Sequence, residues 1–111
     1  MSTAHQVSKM LDQWEQLIEF VEDSYHDNID EYRYDISVRT ALENSVLLPD
    51  APAWTREKLA ELDARFQALL LPGRVDDDPA VPWWYARIPR YAGRQLADAF
   101  EVWYQVSVEI R

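Results

Sequence analysis

A chain of 111 residues is long enough to enclose one hydrophobic core, and residues 1–111 are expected to form a single domain. Twenty acidic side chains against 11 basic ones leave a formal net charge of -9, which disfavours nucleic acid and anionic membranes as targets, since both recruit Lys and Arg. Without cysteine, neither a disulfide framework nor a thiolate metal site can form.

Nearly half of the residues are apolar, with five Trp and six Tyr, too many for a disordered acidic tail. Only two glycines are present, fewer than a protein of tight β-hairpins needs. The stretch Met1 to Leu11 lacks the apolar run of a secretion signal, and no segment approaches a membrane span. These features lead to the expectation of a cytoplasmic location.

The first helix is expected from about Ala4 to Tyr25. Val7, Met10, Leu11, Trp14, Leu17, Ile18, Val21 and Tyr25 recur at three- and four-residue steps. Ser2 or Thr3 is positioned to cap its start. Asp12, Glu15, Glu19 and Glu22 lie on the opposite face, together with His26. After a break at Asp27-Asn28, a second helix is expected to run to Leu48. Ile29, Tyr32 and Ile36 share one face of it; Tyr34, Val38, Leu42 and Ser45 share another. Pro49 and Pro52 end this segment.

The third helix has Thr55 as its expected N-cap and a hydrophobic staple between Trp54 and Leu59. Its stripe is Leu59, Leu62, Phe66, Leu69 and Leu70, and Pro72-Gly73 stops it. Residues 74–82 read as a loop. Trp83, Trp84 and Tyr85, between Pro82 and Pro89, read as extended or irregular. From Phe100 to Ile110 every even position is apolar, the mark of a strand. A longer window from Ala92 instead gathers Arg94, Asp98, Glu101, Gln105 and Glu109 into one polar stripe and turns Trp103 inward. The expected fold is therefore all-α, a compact bundle of about four helices. The alternative is α+β with a C-terminal strand at 100–110.

Nine carboxylates lie between Asp12 and Asp35, interleaved with one arginine, Arg33. Like charges so close repel and lower stability unless something opposes them. A solvated helix face ordinarily mixes signs and gains roughly 0.2–0.5 kcal/mol per ion pair at four-residue spacing. One explanation is internal: Arg87, Arg90 and Arg94, interleaved with Trp83, Trp84, Tyr85 and Tyr91, close over the acidic helices. The other is a basic protein partner. The candidate contacts are Glu15, Glu19, Glu22, Asp23, Asp27, Asp30, Glu31 and Asp35, with Tyr25, Tyr32 and Tyr34 as anchors.

No nucleophile elbow, phosphate-cradling glycine loop or zincin motif is present, and the chain has no Glu-x-x-His pair for a di-iron bundle. No enzymatic activity, metal or cofactor is expected. The segment LIEFVEDSYHDNIDEYRYDISVRTALE, Leu17 to Glu43, resembles small acidic immunity proteins of bacterial contact-dependent growth inhibition systems in its acidic, aromatic, helical character. The likeness covers about a quarter of the chain. It implies a cytoplasmic inhibitor that occludes a toxin domain such as a nuclease, whose substrate cleft is basic. The competing expectation is a homodimeric assembly module without catalytic activity, joined through the second apolar side of the second helix.

Overall fold

A computed structural model describes residues 3–111 and shows a mostly helical molecule. The elements are α1 (Thr3–Glu22), α2 (Ile29–Glu43), α3 (Ala53–Gln67), the single turn α4 (Trp83–Ala86), β1 (Tyr91–Ala92), α5 (Arg94–Tyr104) and β2 (Glu109–Ile110). Helix α1 packs against both α2 and α3, and α2 also meets α4 and α5. The buried apolar side chains form one cluster that runs from Val7 to Phe100.

Helix α1 buries Val7, Leu11, Trp14, Leu17, Ile18 and Val21, the stripe its sequence periodicity dictates. The cap expected at Ser2 or Thr3 lies outside the residues whose side chains are described. The helix stops three residues earlier than expected because Ser24 turns left-handed, with φ 71°. That conformation costs a residue with a Cβ roughly 1–2 kcal/mol. The contacts of the next residue hold it in place. Tyr25 is buried, its hydroxyl donates to Asp35 Oδ2 at 2.6 Å, and its carbonyl accepts from Gly93 N at 3.0 Å.

Asn28 caps α2, its side chain accepting from Glu31 N at 2.8 Å. Ile29, Tyr32, Ile36, Arg39 and Leu42 form the buried face. The helix ends at Glu43, before Leu48, and residues 46–50 form turns. Helix α3 starts two residues before the expected cap. Pro52, whose ring presets φ, is the N-cap, and Thr55 lies inside the first turn with its hydroxyl donating to Pro52 O at 2.6 Å. The earlier start places Trp54 inside the first turn, 49 % exposed, and not at the position before the cap that the expected staple to Leu59 requires.

The Trp83-Trp84-Tyr85 run is not extended. Pro82 caps a single helical turn there, which buries Trp84. Downstream, Leu71 N donates to Ile88 O at 2.9 Å and Arg90 N to Leu69 O at 2.8 Å, an antiparallel contact of the chain after α3. Strand β1 pairs in parallel with β2, Tyr91 opposite Glu109, and α5 is the crossover. The C-terminal segment thus divides. Helix takes Arg94–Tyr104, Gln105 at φ 57° ends it, and the alternation seen in sequence survives only as the two residues of β2. The polar stripe of Arg94, Asp98 and Glu101 is exposed as expected. Trp103, expected inside, is 53 % exposed, because Leu96, Ala97 and Phe100 form the buried side and half-buried Tyr104 continues it.

Gly93 locks the β1–α5 junction onto the α1–α2 connector. A Cβ there would stand 2.8 Å from Tyr25 O and 2.6 Å from His26 Nδ1. Its backbone φ of -62° suits any residue, so the requirement is purely one of space. Gly93→Ala is expected to destabilise the protein by about 1–3 kcal/mol in urea unfolding. An unchanged midpoint would show that the connector yields freely.

Candidate functional site

The structure splits the acidic block in two. Glu15 and Glu22 face α3: Arg65 bonds Glu22 through Nε at 2.8 Å and Glu15 through Nη1 at 3.2 Å, and Lys58 Nζ stands 3.5 Å from Glu15. The hydrogen bonds from Arg65 hold the Glu22 carboxyl below its ordinary range against the opposing pull of burial. Arg65 is raised in turn, first by the hydrogen bond to Glu22. The cations that close over these helices therefore come from α3. Arg87 is engaged elsewhere, donating to Leu71 O at 2.9 Å, and neither Arg90 nor Arg94 pairs with a carboxylate among the described residues.

Glu19, Asp23, Asp27, Asp30 and Glu31 are exposed and have no ion-pair partner among the described residues. Asp30 and Glu31 sit in the first turn of α2, where the positive end of the helix dipole favours them. Asp27 Oδ1 accepts from Asn28 N at 2.7 Å in the connector. Asp23 follows the last turn of α1, the negative end of that dipole, a turn with no basic residue of its own. Its charge opposes folding there. Asp35 is half-buried on α2 as the acceptor for Tyr25.

The three tyrosines part company. Tyr25 and Tyr32 are core residues, ring to ring at 5.4 Å, and Tyr32 continues to Phe100 at 5.8 Å. Neither is available as an anchor for a partner. Tyr34 is 74 % exposed on the outer side of α2. It faces Phe20 of α1 across an open groove of about 450 Å³, with Met10, Leu17, Val38 and Ala41 along its length. A second recess of about 280 Å³ adjoins it at Phe20 and Asp35 and is lined by Asp23, His26 and Asp27 of the connector. Sequence reasoning misses Phe20, Ala41 and the polar Gln13, Gln16 and Ser37 as lining residues. Phe20 carries a signal: it lies off the buried stripe of α1, three residues after Leu17, beside Glu19.

Beneath this surface lies a polar cluster that holds the two helices in place. Arg39, with its side chain 7 % exposed, bonds both oxygens of Asp63, at 2.9 and 2.8 Å, and Glu43 at 3.1 Å. Its guanidinium lies 4.6 Å from the ring centroid of Trp84, and Asp63 Oδ1 also accepts from Trp14 Nε1 at 3.2 Å. Burial pulls Arg39 downward, but the bonds and charge of Asp63 and Glu43 prevail and its pKa is raised. Among the described residues, no group of three or more His, Asp or Glu side chains is placed to hold a metal ion. Among the described residues, no helix is long and apolar enough to cross a membrane either. Comparison with protein-family models, curated proteins and solved structures finds no match.

Burial, and for Tyr25 the hydrogen bond to Asp35 as well, push the hydroxyls of Tyr25 and Tyr32 well above the ordinary 10.0 of tyrosine. The unfolded chain releases these protons above pH 10.0 while the folded one retains them, so stability falls as pH rises past that value. In an alkaline titration followed by tyrosinate absorbance, two of the six tyrosines should ionise only as helical circular dichroism is lost. Ionisation of all six with the helices intact would contradict the assigned burial.

Proposed function

We propose that this is a binding protein of the immunity or antitoxin type. It works in the bacterial cytoplasm and occludes a positively charged surface on a partner protein, such as the substrate cleft of a toxin nuclease. The observation that carries the proposal is the placement of Asp23 and Asp27. They are exposed, without ion-pair partners among the described residues, and set around a groove that presents Phe20 and Tyr34. Uncompensated negative charge accelerates encounter with a cationic surface, and aromatic side chains at such a site supply the contact energy once the two have met. The likeness of Leu17–Glu43 to immunity proteins supports the same reading. Catalysis plays no part in it; inhibition is stoichiometric.

The test uses the tagged wild-type chain and the triple variant E19K/D23K/D27K. These positions are exposed, so the fold should survive. Proteins retained from native lysate at low salt should be rich in basic domains, and the variant should lose them. Association of the retained partner with the variant should be slower by about ten-fold or more at low salt, a gap that closes as salt is added. A partner with nuclease activity should be silenced at a one-to-one ratio. Retention of the same proteins by the variant, at the same rate, would remove the proposal.

A further inference from the structure

The groove between α1 and α2 has more definition than a charged face requires. Its α1 wall runs from Met10 to Phe20, about 15 Å at the helical rise per residue. Its floor is Leu17 and Val38, and Tyr34 stands at one edge. Two helices side by side leave a furrow that one further helix fills at an axial separation of about 8–10 Å. Roughly three turns of helix match the furrow's length.

The charge along the furrow is not uniform. At the connector end stand Asp23, Asp27 and Asp35. At the other end the walls are Met10, Gln13, Ser37 and Ala41, none of them charged. A groove with an apolar floor, uncharged polar side chains Gln13, Gln16 and Ser37 on its walls and negative charge at one end is complementary to a segment with an apolar stripe and a basic end. Resting on the acidic-face reading of the proposed function, we propose that this groove receives one amphipathic helix of the partner. The stripe of that helix enters between Phe20 and Val38, and its Lys/Arg end lies against Asp23, Asp27 and Asp35. This is helix-in-groove recognition, in which anchors at three- and four-residue steps give the energy. A second copy of this chain is a poor occupant. It carries the same net charge of -9, and the exposed apolar pair on α5, Val102 and Trp103, is flanked by Glu101 and Asp98.

The experiment is fluorescence anisotropy with synthetic labelled peptides about four turns long. One has leucines at three- and four-residue steps and lysines at one end. A second has the same composition scrambled, and a third has each lysine replaced by glutamate. The protein is tested as wild type, as Ala41→Trp, which fills the groove, and as Tyr34→Ala. Both positions are exposed, so the core is undisturbed. The striped basic peptide should bind saturably to wild type. The scrambled peptide should bind it about ten-fold or more weakly, and both variants should lose affinity for the striped peptide to a similar degree.

Equal binding of the striped and scrambled peptides, or full affinity in Ala41→Trp, overturns the groove while leaving attraction by the acidic face intact. Equal binding of the lysine and glutamate peptides overturns both. Absence of saturable binding by the striped peptide overturns the groove, as does dimerisation of wild type that Ala41→Trp abolishes.

Discussion

The buried guanidinium of Arg39 is the constraint on which the arrangement of this molecule depends. It is anchored in α2, bonded to Asp63 of α3 and Glu43 of its own helix, and covered by the Trp84 ring of α4. Through Asp63 it reaches Trp14 of α1. Four elements therefore converge on one charge. Such a group gives little net stability compared with an apolar substitute of the same shape, but loss of one partner costs about 3–5 kcal/mol, since the other is left buried and charged. What it supplies is position. Apolar stripes alone would let α2 slide or roll against α1 and α3, whereas a bidentate arginine–carboxylate pair admits one register. The groove between α1 and α2 keeps its shape because its far side is fixed in this way.

The same division of charge runs through the acidic block. Where α1 faces α3, carboxylates meet Arg65 and Lys58 and belong to the fold. Where the α1–α2 connector faces outward, Asp23 and Asp27 have no such partner among the described residues, and Asp23 sits at the unfavourable end of its helix. Departures from local stability rules are expected at functional or strained sites. The left-handed Ser24 lies in the same connector. Charge, backbone strain and exposed aromatics thus converge on one side of the molecule.

Much of this was legible in the sequence. The α1 stripe and the break at Asp27-Asn28 arise from periodicity, whereas α2 ends at Glu43, ahead of the prolines expected to stop it. Arg39 could have been found: it continues the Ile29, Tyr32, Ile36 stripe at a three-residue step and so had to be buried and paired. Its partner could not, because Asp63 lies on another helix and only packing brings the two together. The single turn at Trp83 was hidden by its prolines, which mark boundaries without saying what lies between them. At the C-terminus, helical and alternating patterns overlapped because the chain is helix to Tyr104 and strand only at Glu109–Ile110. The periodicity already put Tyr25 and Tyr32 on apolar stripes, and only the surrounding carboxylates made them read as anchors for a partner as well.

Some of these carboxylates serve the fold, and others are carried at its expense. Urea unfolding of two neutralised proteins, Glu22→Gln alone and Asp23→Asn with Asp27→Asn, separates the two groups. Loss of the Arg65 partner should lower the unfolding free energy of the first, whereas relief of repulsion should leave the second as stable as wild type or more so. A double variant less stable than Glu22→Gln would mean that the connector charges are structural, and the outward-facing acidic surface would need no partner to explain it.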